Sequence, residues 1–213
     1  MTTSDESLRG RGFELAAVLL TVTGFLALGI SFTFIGAASV FWAIYVGARY
    51  RWDPTVFARW GFRREGFAAA VRLTLPFVLA AAVLCSGFAV VSERALLNWN
   101  FGLLLVLYPL WGTVQQFLLV ALVAGNIVAL GRGRIGKPTA IVITAVLFAA
   151  IHLPEYPLVG ATFFMGLVTT SVYFRTRNLW VLGIFHGWVA TVVYFLVMGT
   201  DPWSSLVLGG LRL

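Results

Sequence analysis

FELAAVLLTVTGFLALGISFTFIGAASVFWAIYVG, residues Phe13–Gly47, carries one charged side chain, Glu14, in a run of 35 residues. At about 1.5 Å per residue a single helix of that length would overshoot a hydrocarbon core about 30 Å thick. The run therefore divides into two helices, meeting near Gly29-Ile-Ser31. Arg9 and Arg11 flank one end, and Arg49 and Arg51 the other. A hairpin puts both clusters on one side of a bilayer, as the positive-inside bias requires. The run is too long for a signal-peptide core and has no clear cleavage site, so it reads as retained helix.

Composition agrees with a membrane reading throughout. Of 213 residues, 60% are hydrophobic and 11% charged, where a soluble domain carries about 25% charged. Mean hydropathy is +0.94. The length suits roughly six to eight spans of about 20 residues. The apolar runs are continuous, which speaks against a β-barrel's alternating pattern. The expected fold is an all-α, polytopic transmembrane bundle of about seven spans, one domain over residues 1–213. Cys85 stands alone, so it forms no intramolecular disulfide and no cysteine metal motif.

The remaining spans follow in order. Asp53-Pro54 predicts a helix start. Val56, Phe57 and Trp60, ringed by Arg59, Arg63 and Arg64, predict a short interfacial helix. The third span runs from Phe67 to Val91, with Arg72 placed to snorkel and Pro76 as a kink. The fourth runs from Phe101 to Leu130, with a break expected at Pro109. A short fifth covers Pro138 to His152, the sixth Leu158 to Phe174 and the seventh Leu179 to Met198. Leu206–Leu211 could add an interfacial turn. Trp99, Trp111, Trp180 and Trp203 are expected as interfacial anchors.

This threading puts twelve basic residues, in clusters from Arg9 to Arg177, on one side. Arg94 and Arg212 fall on the other, and Arg72 lies inside a span. The net charge of +7 thus belongs to membrane topology, not to nucleic-acid binding. The expected location is the plasma (inner) membrane of a prokaryote, with a cytoplasmic N-terminus.

Two histidines are present, and both lie in apolar sequence: His152 ends Phe148-Ala-Ala-Ile-His152, and His186 sits in Ile184-Phe-His186-Gly-Trp188. Gln115-Gln116 interrupts a third apolar stretch. Ionisable groups at membrane depth are costly and mark candidate functional sites. The alternatives for each are plain. A membrane histidine can serve as an interhelical hydrogen-bond partner worth about 0.6–2 kcal/mol. Adjacent glutamines point about 100° apart, so both facing one pocket is not assured. His152 and His186 are also candidate ligands for a divalent metal ion or haem, although no third ligand is evident. The cofactor requirement stays open.

Read together, Trp111-Gly-Thr-Val-Gln115-Gln116-Phe-Leu-Leu-Val120 resembles a modified EExxxR motif. Phe148-Ala-Ala-Ile-His152 matches FxxxH, and His186-Gly-Trp-Val-Ala190 resembles HxxxN without its asparagine. Between them lies Arg175-Thr-Arg-Asn-Leu-Trp180. This order is similar to the CAAX protease and bacteriocin-processing (CPBP, or Abi) family of intramembrane proteases, over about residues 100–195. The resemblance implies an all-helical fold with an active site inside the bundle. It implies that a glutamate and a histidine activate water, while a second histidine and an asparagine stabilise the oxyanion.

The departures fall on the chemistry. Gln115 and Gln116 stand at both glutamate positions, Val120 at the arginine position and Ala190 at the asparagine position. A carboxylate can be tuned into a general base, but an amide cannot take the proton at useful pH. It can still orient a water. Losing two carboxylates also removes the need for a guanidinium, so Val120 fits Gln115-Gln116 electrostatically. Three readings follow. A histidine acts as base or metal ligand with the glutamines positioning water; or Glu155 replaces the missing carboxylate; or the bundle is a pseudoprotease that binds without cleaving. The candidate site is His152, His186, Gln115 and Gln116. The expected partners are the lipid bilayer and a membrane peptide, protein helix or lipidated substrate.

Overall fold

The computed structural model describes residues 3–28 and 32–204, and among these no strand occurs. The helices are α1 Thr3–Leu28, α2 Phe32–Trp52, α3 Val56–Trp60, α4 Phe67–Ser92, α5 Trp99–Gln116, α6 Gly125–Leu130, α7 Lys137–Ala150, α8 Tyr156–Thr176 and α9 Leu179–Val192. Two π-helical segments, Phe117–Ala124 and Val193–Met198, continue α5 into α6 and extend α9. The expected join at residues 29–31, Arg212 and the expected turn at 206–211 lie outside the described residues.

The molecule is an all-helical integral membrane protein. Five helices are long and apolar enough to cross a bilayer: Leu8–Leu28, Phe67–Ser92, Trp99–Leu130, Tyr156–Thr176 and Leu179–Met198. The seven-span reading adds α2 and the shorter α7, whose apolar helix covers Lys137–Ala150.

Pro109 does not break its helix. Proline lacks an N–H, which leaves the carbonyl of Leu105 one turn back without its usual donor. The Trp188 indole of α9 supplies it, with Nε1 donating to Leu105 O at 3.0 Å. Pro76 likewise sits inside a continuous α4. The irregularity of the long span falls instead at Phe117, where it becomes π-helical among fully packed residues.

α5 and α9 make the closest helix pair, and glycines let them approach. A Cβ on Gly183 would lie 2.5 Å from Thr113 Cα, and one on Gly187 would lie 2.5 Å from the Tyr108 carbonyl carbon. A Cβ on Gly112 would lie 2.5 Å from Gly183 O and 3.3 Å from His186 Cβ. Backbone is therefore seated on backbone, as small residues permit between membrane helices. α7 packs on α8 in the same way, with Gly166 against Ala145.

The short α3 departs from the sequence reading. It is not a surface helix with its apolar face in lipid: Val56 and Trp60 are buried in the protein core. Trp60 meets Phe117 with ring centroids 5.0 Å apart, and Tyr173 Oη donates to Trp60 O at 3.0 Å. The neighbouring arginines cap backbone as well as carrying charge. Arg63 donates to Thr176 O and Arg177 to Arg59 O. Asp53 accepts from the Thr55 amide and hydroxyl, the acceptor role expected of it at a helix start, and pairs with Arg59 at 2.6 Å.

The N-terminal hairpin is tied to the bundle through a buried carboxylate. Glu14 accepts from Tyr45 Oη at 3.0 Å and from Asn126 Nδ2 at 2.8 Å. Arg11 reaches the other end of the same amide, Asn126 Oδ1, at 3.4 Å. At the opposite end of the bundle Asp201 accepts from Asn98, Asn100 and Ser204. Burial pushes its carboxyl up, but these hydrogen bonds outweigh that and hold it at about 2.

The glycine contacts predict a sharp positional contrast. Gly183→Ala should destabilise the protein by about 1–3 kcal/mol, because the new methyl meets backbone that cannot give way. Gly102→Ala on α5, where an added Cβ meets nothing within 4 Å, should be neutral or slightly stabilising. Thermal unfolding of the two variants in detergent checks this.

Candidate active site

The close α5–α9 contact brings Gln116 to His186. Gln116 is fully buried and His186 is 4% exposed. Gln116 Nε2 lies 3.1 Å from His186 Nδ1. An amide nitrogen only donates, so Nδ1 accepts and the proton of the neutral ring sits on Nε2. Gln116 Oε1 finds no donor among the described residues.

His152 lies just past α7, on the turn that leads to α8. Its Nδ1 lies 2.8 Å from Phe148 O. A carbonyl only accepts, so here the ring proton sits on Nδ1 and Nε2 presents its lone pair. The Phe148 ring packs between the two imidazoles, with centroids 5.3 Å from each. The two histidines therefore hold opposite tautomers around one aromatic spacer.

Both rings line a cavity of about 40 Å³, together with Gln115, Tyr108, Ala190 and Tyr194. That volume holds on the order of one to three waters. Gln115 is half-buried and has no hydrogen-bond partner among the described residues, so its amide is free to act in the cavity. Gln116 is not part of the lining; it stands behind His186. The adjacent glutamines thus divide their tasks, as their 100° separation on a helix requires.

Glu155 does not line this cavity, though its charge lies near enough to act on Tyr194 in the wall. It is exposed, at the start of α8, and absent from the lining. Val120 is buried in the apolar core. Among the described residues no group of three or more His, Cys, Asp or Glu side chains is placed to hold a metal ion. His152 and His186 could offer two imidazoles, but the nearby side chains add amides and phenols, a poor donor set for a divalent cation.

Sequence reasoning missed the tyrosines. Tyr194 follows His186 by eight residues and Ala190 by four, the spacing of one helix face, and Tyr108 precedes Gln115 by seven. That periodicity was the available signal. Trp111 was read as an interfacial anchor, yet it borders the cavity within α5.

The division between the glutamines is open to a stability test. Gln116→Met leaves His186 Nδ1 buried without a donor and should cost about 1–3 kcal/mol. Gln115→Met removes no hydrogen bond and should stay within about 0.5 kcal/mol. Unfolding curves of both variants, collected in the same detergent, make the comparison.

Residues 97–192 match the family model for type II CAAX prenyl endopeptidase Rce1-like proteins. No curated protein and no solved structure matches the chain. The matched stretch runs from the loop before α5 to the end of α9. It contains Gln115, Gln116, His152, His186 and Ala190, and so takes in the close α5–α9 pair and most of the cavity wall. Over this stretch, a little under half of the chain, the sequence is similar to type II CAAX prenyl endopeptidases of the Rce1-like kind.

Proposed function

We propose that the chain is an intramembrane endopeptidase of the CAAX type that uses His152, without a glutamate, to activate water. One observation carries this reading: the two imidazoles border one cavity as an acceptor and a donor, the pair that acyl transfer to water needs. The match of residues 97–192 to the Rce1-like family model supports the reaction class.

In this mechanism His152 Nε2 takes a proton from water as the hydroxide oxygen adds to the scissile carbonyl carbon. The carbonyl electron pair moves to oxygen, and His186 Nε2–H donates a hydrogen bond to it. Collapse of the tetrahedral species breaks the C–N bond, and the His152 imidazolium returns its proton to the departing amine. Gln116 keeps His186 in the donating tautomer. Gln115 orients the water. No step draws on a metal ion. The substrate class is a membrane peptide or a lipidated protein end, delivered from the bilayer that surrounds the bundle. The one-sided arginine clusters support a cytoplasmic N-terminus in a prokaryotic plasma membrane.

A second reading is a pseudoprotease that binds such a chain without cutting it. The specific observation in its favour is that the cavity lining contains no carboxylate. A cleavage assay separates the two. Reconstituted in proteoliposomes with a prenylated CAAX-type peptide, the native chain should release the C-terminal fragment. His152→Ala should reduce the rate at least about 10²-fold, the contribution of a general base. Equal rates for the two, or none for the native chain, would end the protease reading.

A further inference from the structure

We propose that the Tyr194 hydroxyl is a second donor to the substrate's carbonyl oxygen, beside His186; this rests on the endopeptidase reading. Addition of water to a peptide carbonyl builds a full negative charge on one oxygen. Preorganised donors aimed at that oxygen are the largest single source of stabilisation in such reactions. His186 provides one. The position one turn further along α9 is Ala190, whose methyl group provides none but opens space in the cavity wall.

Most other donors near the cavity are already engaged. The Thr162 hydroxyl donates to Leu158 O at 2.6 Å. His152 Nδ1 is held by Phe148 O, and the Gln116 amide by His186. Gln115 lies on α5 beside Gln116 and is assigned to the water. Tyr194 lies on His186's own helix face, two turns on, where α9 passes into its π-helical segment. Helical side chains lean toward the N-terminus, and Tyr194 lines the same cavity as Ala190 and His186. Tyr108 braces it: the rings meet edge to face with centroids 6.1 Å apart. A phenol carries one proton to donate. A ring on two torsions fixed in this way is a preorganised donor. The phenol keeps its proton throughout; it hydrogen-bonds the oxyanion and transfers nothing.

The test uses the full chain in proteoliposomes with the prenylated CAAX-type peptide. Tyr194→Phe removes one oxygen atom and keeps the ring. It should lower kcat by about 10²–10³-fold, the cost of one oxyanion donor, with KM within about twofold and an unchanged unfolding temperature. Ala190→Asn added to that variant places an amide donor one turn nearer His186 and should recover at least about tenfold of kcat. Native kcat in Tyr194→Phe overturns the proposal while leaving the endopeptidase reading intact. A native chain that cleaves nothing overturns both. Should Tyr194→Phe unfold at lower temperature, the double variant decides: recovery of kcat supports the donor role, and no recovery overturns it.

Discussion

The glycine-lined contact between α5 and α9 is the constraint on which the rest of the site depends. Gly112, Gly183 and Gly187 let two membrane helices meet at backbone distance. Only at that distance does the Gln116 amide reach His186 Nδ1. Trp188 reinforces the same contact by donating to the Leu105 carbonyl that Pro109 leaves unpaired. Within lipid there is little hydrophobic force to press helices together, so close packing and interhelical hydrogen bonds must hold them. Here those forces also set the protonation pattern of a histidine.

The replacements at the family motif make one consistent set. A buried carboxylate needs a compensating charge or several hydrogen bonds. With neutral Gln115 and Gln116 no guanidinium is required, and the corresponding Val120 is packed into the apolar core. With an amide behind it, His186 is an acceptor at Nδ1 and a donor at Nε2. A carboxylate in that place would demand the reverse. In the proposed mechanism the amide therefore does more than remove a base: it makes His186 the donor and leaves His152 as the basic imidazole beside the cavity.

Much of the bundle was legible in the sequence because a bilayer imposes a length and a polarity on every span. Phe67, Leu130, Leu179 and Met198 were expected helix ends and are observed ones. The positions where the reading failed were those decided by tertiary partners. α3 carries the pattern of a surface helix, but Phe117 and Tyr173 supply a buried partner for Trp60. Pro109 carries the pattern of a break, but Trp188 lies far away in sequence and repairs it. The π-helical segments leave no compositional trace. At the site, the histidines and glutamines stood out as polar residues in apolar sequence, whereas Tyr108 and Tyr194 did not, because tyrosine is common at membrane interfaces. The different roles of Gln115 and Gln116 followed only from which helix face each occupies.

The central claim is that the two histidines carry their protons on opposite nitrogens, giving one basic and one donating imidazole at a shared cavity. Nitrogen-15 NMR of the reconstituted chain, with histidine labelled in the ring and His152→Ala used to assign the signals, reads this directly. At neutral pH the account predicts His152 protonated at Nδ1 and His186 protonated at Nε2. The same tautomer on both rings, or a His186 protonated at Nδ1, would contradict it.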